Sequence, residues 1–244
     1  MAHGTPDWGV TASKKTIYSL HDMGELAVRL GAIHVHDRRG DVIFQDQFDG
    51  GESRVSAIGA GLGNEVYLSC NAPLAGTMNL MFHTGPDIGD HSGIMKVVPY
   101  LVLGGIGLEC SFIPVDNLSI IHFTLLVFDG ADKHHYEIEY DHVAGTVLVK
   151  DTGGVPKIVG TPGVLRAGYT IYSTLKAVVD TEKGKYVRVI LNDQTYLAGD
   201  WKPTVTADLL TRPSLTTEVY AVTAVDAAID VPADRLIITQ NEPI

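Results

Sequence analysis

Tryptophan and cysteine are scarce in this chain: of its 244 residues two are Trp (Trp8, Trp201) and two are Cys (Cys70, Cys110). Aromatics make up only 7% of the residues, which leaves few of the exposed rings on which sugar-binding proteins stack a pyranose. Both cysteines lie in apolar strand-like runs with no framework of spacings, so two buried thiols are expected rather than a disulfide. No apolar run approaches the length that would cross a bilayer. The first nine residues lack the basic start and apolar middle of a signal peptide, so export by that route is not expected, unless the chain is a trimmed mature form. No Gly-x-Ser-x-Gly elbow and no phosphate-cradling Gly-x-x-x-x-Gly-Lys loop occurs, and Gly59-Ala-Gly-Leu-Gly63 reads as a flexible loop. Without a strong catalytic signature the chain is expected not to be an enzyme.

Basic residues are also few, and the formal net charge is -11. Residues 1–48 hold five Lys/Arg against six Asp/Glu, and the remainder thirteen against twenty-three, so the acid lies in the larger part. An acidic surface repels phosphate backbones, which argues against nucleic acid and leaves cations or neutral sugars as ligands.

What is plentiful is strand patterning. Tyr169–Val179 alternates, Asp180–Gly184 breaks the run, and Lys185–Leu191 alternates again, as in a hairpin series. Further runs at 65–70, 77–83, 95–103, 107–113, 118–128, 135–140, 146–150, 215–222 and 236–239 make about a dozen short strands. With no long helix to cover a parallel sheet, this predicts an all-β sandwich or barrel. The start differs in kind: Asp22-Met-Gly-Glu25 has capping-box spacing, Leu26–Leu30 continues a short helix, and Asp37–Gly40 is flanked by hairpin-like runs. One helix and one hairpin cannot bury a core of their own. Residues 1–44 are therefore expected to be an assembly arm, making contacts through Trp8, Leu26 and Leu30, and residues 45–244 the sandwich.

The segments Phe44–Gly51, Gly76–Thr84, Leu175–Asp180, Lys185–Asn192 and Asp234–Thr239 resemble the jelly-roll sandwiches grouped as concanavalin A-like or LamG-like domains, including carbohydrate-binding modules. An arm ahead of such a sandwich is similar to phage virion structural proteins. The resemblance implies a structural Ca²⁺ where first and last strands meet, here held by Asp46, Asp49 and Asp234, with Arg235 standing where a second terminal acid is usual. Solvated turn carboxylates are the alternative.

Two other groups have catalytic residue types. Glu137-Ile-Glu139-Tyr-Asp141 places three acids on one strand face, as a pair of glycosidase carboxylates would require, but a polar outer face with Ile138 and Tyr140 turned inward is the favoured reading. His134-His135 and His34-x-His36 lack further ligands for a transition metal. Trp201, between Asp200 and Lys202 in a loop, is the candidate sugar platform, or else a plug for the sandwich end.

These observations predict a jelly-roll sandwich serving as a non-enzymatic virion protein, a capsid decoration or relative, forming a homo-oligomer or binding a shell protein. It would be assembled in the host cytoplasm and displayed on a particle surface. A carbohydrate-binding module or lectin is the alternative, and a glycoside hydrolase a distant third.

Overall fold

The computed structural model describes residues 40–49, 54–74, 76–99, 103–168 and 171–244. Residues 1–39 of the expected arm, with Trp8, Leu26 and Leu30, lie outside the described residues, whereas its last four, Asp41–Phe44, belong to a strand of the sandwich that pairs with the final strand of the chain. Sixteen strands are present among them: β1 (Asp41–Asp46), β2 (Ser56–Ala60), β3 (Glu65–Ser69), β4 (Asn79–His83), β5 (His91–Pro99), β6 (Gly105–Phe112), β7 (Leu118–Phe128), β8 (Asp132–Asp141), β9 (Thr146–Lys150), β10 (Pro156–Gly160), β11 (Ser173–Asp180), β12 (Lys185–Leu191), β13 (Gln194–Leu197), β14 (Thr204–Ala207), β15 (Ser214–Thr223) and β16 (Asp230–Gln240). They form two eight-stranded antiparallel sheets, confirming the all-β sandwich. The first runs β13-β12-β11-β6-β16-β4-β3 with β1 also on β16, and the second runs β10-β9-β8-β7-β15-β5-β2 with β14 also on β8.

Period-two patterning explains which side chains meet between the sheets. From the second sheet come Ile121, Phe123, Leu125 and Val127 of β7 and Tyr136, Ile138 and Tyr140 of β8; from the first come Leu108 and Phe112 of β6, Leu175 and Val179 of β11, and Leu236 and Ile238 of β16. All are within 3% of full burial. At roughly 1.5–3 kcal/mol for each large apolar side chain taken from water, this layer is the main stabilising term.

The structure departs from the sequence reading at the edges. Gly59 and Ala60 are not loop but part of β2, opposite Ser92 and His91. Glycine is required there, because a Cβ at Gly59 would come within 2.7 Å of the His91 carbonyl oxygen and the Asn64 side chain. The short outer strands β10, β13 and β14 carry too little patterning to stand out. The last strand begins at Asp230, earlier than expected, and is interrupted by a bulge at Arg235, which adopts φ 55°. Cys110 is buried but Cys70, just past β3, is exposed, and both are free thiols.

Candidate functional site

Register on the second sheet brings polar residues of four strands onto its outward face in two adjacent rungs. In one, Tyr220 of β15 lies opposite His122 of β7, which lies opposite Glu139 of β8. In the next, Glu218 lies opposite Thr124, which lies opposite Glu137. On β9, Val149 pairs with Ile138, so Lys150, one residue on, stands beside Glu137. The expected alternation of β8 holds, with Tyr136, Ile138 and Tyr140 inward and both glutamates outward.

These glutamates lie on the polar outer face that the sequence favoured, and there they are paired and largely buried. The Lys150 Nζ donates to Glu137 Oε2 and to Glu139 Oε1 at 2.8 Å each. The His122 Nδ1 is 3.0 Å from Glu139 Oε1, and its Nε2 is 3.7 Å from Glu137 Oε2, beyond hydrogen-bond range. His135 Nδ1 approaches Glu137 Oε1 at 3.6 Å. The His122 ring stacks on Tyr220 at 4.5 Å and 9°, and His91 of β5 flanks Tyr220 at 4.9 Å. Room for that tyrosine comes from Gly93 opposite it, where a Cβ would lie 2.4 Å from the Tyr220 Cβ.

A hydroxyl from the other sheet completes the floor. The β8–β9 ladder ends at Ile138 and the β8–β14 ladder ends at His135, so Glu137 falls between them. Its N–H donates to the Tyr186 hydroxyl of β12 at 2.9 Å, and that hydroxyl donates to the Lys150 carbonyl at 2.6 Å. Tyr186 thus crosses the core, edge-on to Tyr136, and ties together the backbones that carry Glu137 and Lys150.

Burial alone would raise the Glu139 pKa, but hydrogen bonds from His122 and Lys150 outweigh it and bring the carboxyl down to about 2. Lys150 moves the opposite way: its partial burial opposes charge, yet its bonds to Glu137 and Glu139 hold the ammonium above its ordinary range. Glu218 has no such cation beside it, and burial raises its pKa, against a smaller lowering by His122 and His91. One face therefore carries a carboxyl held ionised and a carboxyl biased toward its protonated form, the combination that acid–base catalysis uses.

His122, Glu137 and Glu139 can also hold a metal ion, since one donor atom from each lies within 4.8 Å of the others, and among the described residues no other such group occurs. Lys150 already brings positive charge to the same two carboxylates. Asp46, Asp49 and Asp234, the expected calcium ligands, each serve backbone N–H groups. Asp46 accepts from Phe48 and Arg54, Asp49 from Thr77 and Met78, and Asp234 from Leu74. Trp201 is 40% exposed, with the Lys157 ammonium 5.0 Å from its ring centre, and Asp200 pairs with Lys185 while Lys202 is exposed. By register Lys157 shares the inward side of β10 with Val149, which places Trp201 at the flank of the sandwich rather than on the face that carries the rungs.

Sequence reasoning found Glu137 and Glu139 and missed His122, Lys150, Glu218 and Tyr220. The available signal was a histidine inside the apolar run of β7 and a Glu and a Tyr at alternate positions of β15.

No protein-family model matches the chain, and no curated protein matches it in sequence. Solved structures share the fold at low identity. The cellulose induced protein Cip1 is 13% identical with a TM-score of 0.55, over 80% of this chain and 96% of its own. An endo-beta-1,4-glucuronan lyase from the fungus Trichoderma reesei is 11% identical with a TM-score of 0.54, over 82% and 96%. A carbohydrate esterase from the Shiga toxin-encoding bacteriophage phi24B is 13% identical with a TM-score of 0.53, over 82% and 99%. The expected likeness to carbohydrate-related jelly rolls holds. The expectation that the chain is not an enzyme is corrected, because this fold is also that of a lyase and an esterase. Absence of a linear motif was a poor guide, since the ionisable groups converge from four strands.

Proposed function

We propose that the chain is a glycan-cleaving enzyme, a glycoside hydrolase whose site is the outward face of the second sheet. The observation that carries this reading is the rung Glu218–Thr124–Glu137, two carboxyl side chains separated by one short residue across three strands. Two strand spacings put their backbones about 9.6 Å apart, which suits carboxyls with a water and a sugar between them. Glu218 gives its proton to the glycosidic oxygen as the C1–O bond breaks. Glu137, oriented by Lys150, takes a proton from the water whose oxygen attacks C1, so the sugar leaves with a free reducing end and inverted configuration. The closer pair, Glu137 and Glu139, has the spacing of a retaining enzyme but lacks an acid, because Lys150 bridges both and Glu139 stays ionised.

Release of reducing ends from a panel of glycans tests this. Wild type should cleave at least one member, and Glu218→Gln should lower kcat by about 10²–10⁴-fold with an unchanged circular dichroism spectrum. Binding without cleavage would return the protein to the lectin reading, and an unchanged rate in Glu218→Gln would remove the assigned acid. A particle-borne setting is compatible with either chemistry and rests on the first 44 residues and on the phage source of one fold neighbour. Co-sedimentation of the protein with virions would test it.

A further inference from the structure

The composition of the two rungs bears on which sugars the face accepts, given that it is the glycan site. Among the described residues, two carboxylates, Glu137 and Glu139, share one ammonium, Lys150, at 2.8 Å each, and the third carboxyl of the rungs, Glu218, is the proposed proton donor. The remaining polar side chains there are His91, His122, His135, Tyr220 and Thr124, none of them a permanent cation. The next cation of β8 with the same orientation, Lys133, is four residues from Glu137, about 13 Å along the strand. A uronic acid bound over the rungs would therefore lay its carboxylate beside Glu137 and Glu139, with Lys150 already engaged by both and no second permanent cation on the rungs among the described residues.

Stacking offers little in compensation. Tyr220 is packed between His122 and His91, which lie on the strands to either side of it, so its ring is engaged with protein. Trp201, the one tryptophan among the described residues, belongs to the flank. Recognition on this face falls to charge and hydrogen bonding rather than to an aromatic platform.

We propose that the site is built for a glycan whose sugars carry protonated amino groups, a polymer of the hexosamine type with free amines. Such an ammonium supplies the positive charge that the rungs lack. At about 4 Å from a carboxylate its attraction is worth roughly fivefold in affinity when fully screened by water and more where the face is partly desolvated, so about tenfold over an uncharged sugar is expected. The acidic balance of the larger part of the chain favours the same ligands at longer range.

The test is calorimetric binding to wild-type protein of four oligosaccharides of equal length: glucosamine, its N-acetylated twin, glucose and glucuronic acid, at about pH 6 where amines are protonated. The glucosamine oligomer should bind at least about tenfold tighter than the N-acetylated one, the margin should shrink as salt rises, and the glucuronic acid oligomer should not bind measurably. Lys150→Met, which removes the competing internal ammonium, should widen the margin. Equal or tighter binding of the N-acetylated, glucose or glucuronic acid oligomer overturns the substrate class while leaving the site in place. Failure of all four to bind removes the glycan reading of the face itself.

Discussion

Each sheet carries a carboxylate–cation cluster on its outward face, and the two differ in how far they are closed. On the first sheet Glu242 accepts from Lys176 Nζ at 2.6 Å, from Arg188 Nη2 at 2.8 Å and from Thr239 Oγ1 at 2.6 Å, with side chains 0%, 3% and 5% exposed for Glu242, Lys176 and Arg188. Gly107 makes the approach possible, since a Cβ there would lie 2.4 Å from Thr239 Oγ1. On the second sheet Lys150 keeps 26% of its side chain exposed and His135 31%, above glutamates at 12–15%. A closed cluster has paid its desolvation cost and can only hold the fold together. The open cluster keeps carboxyl groups within reach of a ligand, and their surroundings move them in opposite directions, Glu139 down through its bonds to His122 and Lys150 and Glu218 up through burial. Buried charge alone therefore does not mark function here; charge that remains accessible and unevenly compensated does.

The comparison breaks first at Glu242. Glu242→Ala removes the carboxylate that two buried cations share and should cost about 3–5 kcal/mol, seen as a fall in Tm of roughly 10 °C, while glycan cleavage by the folded protein persists. A cost near zero would place that cluster in the same class as an exposed pair.

Acid titration gives the next largest effect. The Glu139 pKa falls from 4.5 to about 2 on folding, so its contribution is complete above about pH 4.5 and is lost as pH drops through about 2. That limb should amount to about 3 kcal/mol in urea unfolding and should be missing from Glu139→Gln. Lys150 is the other partner of the same interaction, and the two contributions do not add.

A smaller effect is expected at Tyr186. Tyr186→Phe keeps the ring but leaves the Glu137 N–H and the Lys150 carbonyl without the hydroxyl that joins them, at a cost of about 1–3 kcal/mol. Because those two backbones carry the proposed base and its partner, kcat should fall by more than the change in KM. Equal changes in both, or none, would make Tyr186 a packing residue only.

How much of this was legible follows from how far apart the interacting residues are in the chain. The strands 118–128, 146–150 and 185–191 match their sequence runs at both ends, because each is bounded by turn chemistry and filled with β-branched and large apolar residues. The alternation of β8 correctly put Glu137 and Glu139 on one face. Their meaning depends on Glu218 being brought across Thr124 and on His122 facing Glu139, which are matters of long-range register. Likewise, the calcium expected at Asp46, Asp49 and Asp234 followed from a likeness of motifs, whereas the backbone N–H groups that use these carboxylates arise from turns around residues 48, 54, 74, 77 and 78. Local patterning thus reached the sandwich and half of the site, and tertiary pairing supplied the rest.

The most direct test of the central claim is the anomeric configuration of the first product, read by proton NMR during cleavage of a glycan that the enzyme accepts. Glu218 and Glu137, separated by two strand spacings, predict inversion at C1. Retention would contradict the account, because it would transfer the chemistry to the close pair Glu137 and Glu139 and require Lys150 to release them.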